Sequence, residues 1–84
     1  MPKATDEQRQ RDRRALGERI ATLRRRAGLS QPELAERLGV RTATVSNWER
    51  GEGEPQLLDA DAVARALSVD INVLTGRAPL PPRG

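Results

Sequence analysis

The sequence lacks most of the residues on which catalysis and covalent cross-links depend. Its 84 residues include no cysteine and no histidine, and Trp48 is the single aromatic residue. Without cysteine there are no disulfides and no thiolate chemistry, and without histidine the usual metal ligand and the usual general base are missing. We therefore expect no enzyme, no metal and no cofactor, and a fold held together by aliphatic side chains.

Long apolar runs are missing as well. No stretch approaches the roughly 18 residues of a membrane-spanning helix, and the N-terminal residues are too polar for a signal peptide. A chain of 84 residues allows one domain with a modest core. The sequence thus predicts a cytoplasmic protein that has no membrane partner and is associated with the nucleoid if it binds DNA.

Charge is distributed unevenly along the chain. Residues 1–30 carry nine Lys or Arg and four acids, residues 31–50 carry three of each, and residues 51–84 carry three Arg and five acids. A basic front half and an acidic back half indicate a molecule with one side facing a polyanion. A solvated charged helix with a chance asymmetry explains the same numbers, so charge alone does not decide between the two.

Apolar spacing and capping residues predict five helices and no strands. The first begins near residue 6 after a capping box formed by Thr5 and Gln8, and the others begin near residues 31, 42, 57 and 71, with Thr42 and Asp70 as further caps. The tail has three prolines and is expected to be extended or disordered. The predicted inward-facing residues are Leu16, Ile20, Leu23, Ala27, Leu34, Ala35, Leu38, Val45, Trp48, Leu57, Ala60, Val63, Ala64, Leu67 and Leu74.

Three segments follow from this pattern. We expect residues 15–76 to form the folded domain and residues 77–84 to form the tail. Residues 1–14 have nothing large and apolar to bury after the first methionine, so they form either a mobile basic arm or a solvated extension of the first helix. With only eight residues after Gly76, we expect no separate effector domain and no small-molecule ligand.

The most informative stretch is residues 28–51, which predicts two short amphipathic helices joined by a tight turn at Gly39. Ser30 and Glu33 form a capping box at the start of the first of these helices, and Gly51 ends the second. The second helix has an outer face of small polar residues. This arrangement is typical of a helix-turn-helix whose second helix enters the DNA major groove.

These residues resemble the helix-turn-helix of Cro/repressor-type regulators, also called the xenobiotic-response-element family. The resemblance rests on Leu-Ser-Gln-x-Glu-Leu-Ala-x-x-Leu-Gly-Val at 29–40 and on Val-Ser-Asn-Trp-Glu-Arg-Gly at 45–51, and it covers about residues 15–75. It implies an all-α, five-helix, lambda-repressor-like domain. It also implies a homodimer bound to double-stranded DNA at a near-palindromic operator, with the third helix reading bases.

The resemblance also implies roles for individual residues. An ion pair between Arg24 and Glu49 is expected to hold the third helix against the first. Among the outward-facing residues, Asn47 suits adenine and Ala43 suits a thymine methyl group, although each could simply face solvent. The expected base contacts are Arg41, Thr42, Ala43, Ser46 and Asn47, and the expected phosphate contacts are Gln31, Arg50, Gly51 and Gly53.

Two functions remain open at this point. The first is a transcriptional repressor whose dimer surface lies on the fourth and fifth helices and uses Leu58, Val73 and Leu80. The second is an antitoxin or adaptor of the same fold, whose main partner is a toxin or the transcription machinery. A basic cluster in the first helix either reaches adjacent DNA or only solvates the helix, and it consists of Arg9, Arg11, Arg13 and Arg14.

Overall fold

The computed structural model describes residues 5–82, and in that range the chain forms five α-helices and no strand. The all-α, five-helix prediction is therefore confirmed. The expectations for residues 1–4 of the basic arm and 83–84 of the tail lie outside the described residues. The helices are α1 (Asp6–Arg26), α2 (Gln31–Leu38), α3 (Thr42–Arg50), α4 (Leu57–Ala66) and α5 (Ile71–Leu74).

The first helix runs without interruption from the polar N-terminal segment into the domain. The Thr5 hydroxyl accepts the backbone N–H of Gln8 at 3.0 Å, as predicted for an N-cap. The Gln8 side chain does not complete a capping box, because it donates to Asp12 at 3.1 Å and accepts from Arg11 at 3.2 Å. Such contacts one turn apart stabilise a solvated helix, so the described part of the segment is a helical extension.

The core receives one fully buried side chain from every helix. These five residues are Ile20, Leu34, Val45, Val63 and Leu74. Each contributes roughly 1.5–3 kcal/mol by removing its apolar surface from water. Because α3 shares this core with the other four helices, its outer face has a defined orientation relative to the whole domain.

Three details of the helix boundaries differ from the prediction. Ala27 is exposed because α1 ends at Arg26, so Ala27 lies just beyond the part of the helix that packs against the core. Leu57 is 80% exposed because it is the first residue of α4, and burial begins one turn later. Thr42 is the first residue of α3 rather than its cap, and the capping residue Arg41 makes no side-chain cap hydrogen bond.

The turn that separates α2 from α3 depends on Gly39, which has a positive φ of 70°. Its N–H donates to the Glu36 carbonyl at 3.2 Å, and the N–H of Val40 donates to the Ala35 carbonyl at 3.0 Å. This pair of bonds is the Schellman motif, and glycine adopts its left-handed residue without steric cost. The predicted tight turn is therefore present.

The tail contacts the domain, which the sequence pattern did not predict. Leu80 is half-buried and packs against the core, in a shallow groove lined by Ala15 and Thr22 of α1. Arg26 donates to the Pro81 carbonyl at 2.6 Å. Val73 also packs against the core and is half-buried, so Val73 and Leu80 offer less apolar surface to the predicted dimer surface than the exposed Leu58, and their role in it stays a prediction.

Candidate nucleic-acid interface

The third helix presents one polar, solvent-facing side. Arg41, Thr42, Ala43 and Asn47 are exposed and Ser46 is half-exposed, while Val45 and Trp48 are buried beneath them. Trp48 is therefore a packing residue, as predicted, and not a stacking platform. All five residues expected to contact bases share the outward side of α3 or its immediate start.

Two glycine-dependent contacts attach the opposite side of α3 to α1. A Cβ atom at Gly17 would overlap the Trp48 carbonyl oxygen and would lie 2.8 Å from the Glu49 carbonyl oxygen. A Cβ atom at Gly51 would lie 3.0 Å from the Arg14 Cα atom. The two backbones therefore touch directly at Gly17 and nearly do so at Gly51, which restrains α3 at its C-terminal half.

The ion pair expected between Arg24 and Glu49 is present and buried. Arg24 Nε and Nη2 donate to the two carboxylate oxygens at 2.7 and 3.0 Å, and Nη1 donates to the Leu29 carbonyl at 2.9 Å. The side chains are 10% and 7% exposed. This bidentate geometry aligns α1 with α3. The third bond ties Arg24 to Leu29, in the turn between α1 and α2.

Both members of the pair are held in their charged forms. The hydrogen bond to Glu49 raises the pKa of Arg24 against the opposing effect of burial. Burial alone would raise the pKa of Glu49, but hydrogen bonds from Arg24 and Gln31 outweigh it and leave that pKa below its usual value. The pair therefore remains ionised at neutral pH.

Gln31 connects the start of α2 to the same network. Its Nε2 atom donates to Glu49 Oε1 at 2.9 Å, and the residue is half-buried. A carboxamide nitrogen carries two hydrogens, so one N–H remains for an external acceptor. The predicted phosphate contact of Gln31 is compatible with this arrangement and stays a prediction.

The end of α3 is organised by Arg50. Its Nη2 atom donates to Asn47 Oδ1 at 2.6 Å, and Nη1 donates to Ser46 Oγ. Its Nε and Nη2 atoms also donate to Glu52 Oε2 at 3.2 and 2.9 Å. The guanidinium group therefore lies back over α3, between two residues predicted to contact DNA, Ser46 and Asn47, and one acid, Glu52.

Gly51 and Gly53, expected to offer their backbones to phosphate, have different surroundings. Gly51 is buried, its N–H donates to the Trp48 carbonyl at 3.1 Å, and its carbonyl accepts from Gln10 Nε2 at 3.1 Å. These internal bonds argue against the phosphate contact of Gly51. Gly53 is half-buried near Trp48, and its phosphate contact stays a prediction.

Sequence reasoning missed Gln10, Gly17 and Glu52. Gln10 and Glu52 are polar residues in polar surroundings, so no pattern marks them. Gly17 carried a usable signal, because an isolated glycine inside a helix costs about 1 kcal/mol and its presence indicates a packing reason. Within residues 5–82, no helix is long and apolar enough to cross a membrane, and no cluster of three or more potential metal ligands occurs.

Comparison with known proteins identifies the fold family. The sequence profile described as helix-turn-helix matches residues 20–74, which include all of α2, α3, α4 and α5. The chain belongs to the helix-turn-helix family of the Cro/repressor type. The resemblance found in the sequence is thereby confirmed.

Relatives of this helix-turn-helix protein have several roles. Antitoxin HigA1 of Mycobacterium tuberculosis is 39% identical over 61 residues, which are 73% of this chain and 41% of the antitoxin. The cryptic phage CTXphi transcriptional repressor RstR of Vibrio cholerae is 32% identical over 60 residues, or 71% of this chain and 54% of the repressor. The chain thus spans about half the length of these relatives.

A solved structure supports the same fold over a similar range. The restriction-modification controller protein C.AhdI of Aeromonas hydrophila superposes with a TM-score of 0.73 at 33% identity. The match covers 76% of this helix-turn-helix protein and 97% of the controller. The remaining quarter of the chain lies outside the part shared with the controller.

Proposed function

We propose that this protein is a sequence-specific DNA-binding transcriptional regulator that acts as a repressor, with α3 in the major groove. The observation that carries the proposal is the outer face of α3. This face is exposed and polar, and the inner face is held rigidly by the Gly17 contact and the Arg24–Glu49 pair. A base-reading helix needs this combination, because a loosely held helix cannot keep several donors in register with base edges.

The proposal assigns two kinds of contact. Arg41, Thr42, Ala43, Ser46 and Asn47 meet base edges, where each good pairing discriminates by about 1–3 kcal/mol. Gln31 and Arg50, together with the backbone at Gly53, meet phosphates and set the orientation on the duplex. The protein acts by binding and not by catalysis, in the cytoplasm and on the nucleoid.

We also propose that the active form is a homodimer on a near-palindromic operator. Leu57 and Leu58 are 80% and 81% exposed at the start of α4, and they supply more apolar area to the dimer surface than the half-buried Val73 and Leu80. Two half-sites about 34–36 Å apart would supply the specificity that a single small domain lacks. The double variant Leu57→Ser/Leu58→Ser should run as a monomer in light scattering and lose operator affinity, while its circular dichroism stays unchanged.

A protein partner is the second candidate function, and the similarity to antitoxin HigA1 favours it. An antitoxin of this fold would bind both a toxin and DNA, whereas an adaptor would bind only protein. In both cases the partner protein would bind exposed apolar residues such as Leu57 and Leu58, which the homodimer would otherwise bury. Co-expression with the product of the neighbouring gene, followed by affinity purification of the pair, tests this alternative.

The main proposal is tested by fluorescence anisotropy with DNA from upstream of the protein's own gene and with scrambled DNA, at several salt concentrations. Specific regulation predicts binding at least about a thousandfold tighter than to the scrambled DNA, and a steep loss of affinity with salt. Asn47→Ala should weaken operator binding by roughly 5- to 150-fold. Asn72→Ala is the matched control, because Asn72 is exposed on α5 and is not among the residues assigned to DNA. Weak and equal binding to both DNAs would refute the proposal.

A further inference from the structure

The bonds made by Arg50 decide which atoms of its neighbours remain for DNA. Asn47 Oδ1 accepts from Arg50 Nη2 at 2.6 Å, which turns this oxygen towards the guanidinium group and occupies one of its two lone pairs. The atom of Asn47 that is free of internal bonds is Nδ2 with its two hydrogens. Ser46 Oγ accepts from Arg50 Nη1, which leaves its hydroxyl hydrogen as a donor. This half of the outer face of α3 is therefore rich in hydrogen-bond donors, beside the Arg50–Glu52 ion pair.

The position of Arg50 is itself restrained. Its Nε and Nη2 atoms share Glu52 Oε2 at 3.2 and 2.9 Å, so the guanidinium group is bonded on two sides. Arginine loses little additional freedom when several planar donors are used together. The donor-rich face therefore involves four connected side chains, which are Ser46, Asn47, Arg50 and Glu52.

Base edges differ in how they match such a face. In the major groove guanine presents two acceptors, N7 and O6, whereas adenine presents the N7 acceptor and the N6 donor. An asparagine that reads adenine must accept from N6, and here that oxygen lies against a guanidinium group that repels the N6 hydrogens. Guanine can accept from Asn47 Nδ2 and from the Ser46 hydroxyl without needing the oxygen that Arg50 engages.

We propose that Arg50 is a positioning residue that makes Ser46 and Asn47 read guanine rather than adenine. The inference rests on the proposed function, since it concerns the sequence that the same helix recognises. It also replaces the adenine contact expected for Asn47 from the sequence. Glu52 contributes by holding the guanidinium group in place.

The test is selection of binding sites from a pool of duplexes with randomised sequence. The base pair read by Asn47 is the one whose preference disappears in Asn47→Ala. The wild-type protein should enrich guanine at this pair about tenfold or more over adenine. Arg50→Ala should shift the preference at the same pair to adenine, because the carboxamide is then free to present both its oxygen and its nitrogen.

Two further variants keep the test informative. Arg65→Ala removes an arginine that is paired with Asp61 on the exposed side of α4, and it should leave the base preference unchanged. Arg50→Lys keeps the positive charge for phosphate but donates hydrogen bonds from a single atom, so it should weaken the preference for guanine. It serves as the test if Arg50→Ala binds DNA too weakly for selection. Circular dichroism verifies that each variant is folded.

The outcomes separate this inference from the proposed function. Enrichment of adenine by the wild-type protein, or an undiminished guanine preference in both Arg50 variants, overturns the role of Arg50 while regulation by sequence-specific binding stands. A wild-type protein that enriches no sequence overturns both. Guanine enrichment that depends on Arg50 supports both.

Discussion

Replacing Gly17 with alanine should lower both stability and DNA affinity. The new Cβ atom would overlap the Trp48 carbonyl oxygen and would lie 2.8 Å from the Glu49 carbonyl oxygen and 2.9 Å from the Glu49 carbonyl carbon. All three are backbone atoms, so no side-chain rotation relieves the overlap and α3 must move away from α1. Overpacking of this kind costs up to about 3 kcal/mol, and the better helix propensity of alanine offsets about 1 kcal/mol.

The net result is a loss of up to about 2 kcal/mol, which corresponds to a decrease in Tm of at most roughly 8–16 °C for a domain of this size. Urea unfolding gives the free energy, and anisotropy gives the operator affinity, which should decrease because the readers on α3 move with the helix. Ala15→Gly, at a position of the same helix that is exposed apart from its groove with Leu80, measures the propensity effect without the contact to α3. A Gly17→Ala protein that is more stable than the wild type would refute the close approach of the two helices.

Three further predictions concern charged groups. Arg24→Ala should lower the free energy of unfolding by about 3–5 kcal/mol, because it leaves the Glu49 carboxylate buried without its partner; an unchanged Tm would contradict this. The pKa of Glu49 is depressed in the folded state. Its contribution to the free energy of unfolding is therefore present above the unfolded pKa of about 4.3, and it is lost as the pH falls through the folded pKa. Glu49→Gln should therefore flatten the acid side of a plot of stability against pH, as measured by urea unfolding. Glu52→Gln should tighten binding to any DNA several-fold in anisotropy, since the acid beside Arg50 repels phosphate, whereas Asp61→Asn, which breaks a similar exposed pair, should not.

The helices and their turns could be predicted because the interactions that define them are local. The capping box of α2 joins residues three apart, with Ser30 Oγ accepting at 3.2 Å and Glu33 accepting at 2.9 Å. The turn at Gly39 likewise involves bonds that span only a few residues. The exposure of Leu57 was missed because apolar spacing does not show which turn of a helix is the first to contact the core.

The candidate site was predicted only in part. The Arg24–Glu49 pair came from the family resemblance, since nothing local links residues 25 positions apart. The outer face of α3 followed from helical periodicity, but the direction of the Asn47 amide did not. That direction depends on where the Arg50 side chain lies, and long side chains have many rotamers available before tertiary contacts select one.

The sequence by itself therefore determined the number of helices, their approximate limits, the turn between α2 and α3, and which residues of α3 face outward. Capping, glycine turns and apolar spacing involve residues within one or two helical turns of each other, so they can be predicted directly from the amino-acid sequence. Only the tertiary structure decided how closely α1 and α3 approach at Gly17, that Gly51 is buried and bonded to Gln10, and which atoms of Asn47 are left for DNA. The Gln10–Gly51 bond spans 41 positions. The approach at Gly17 depends on how α1 and α3 pack, and the orientation of Asn47 depends on the rotamer of Arg50. Local sequence specifies neither of them.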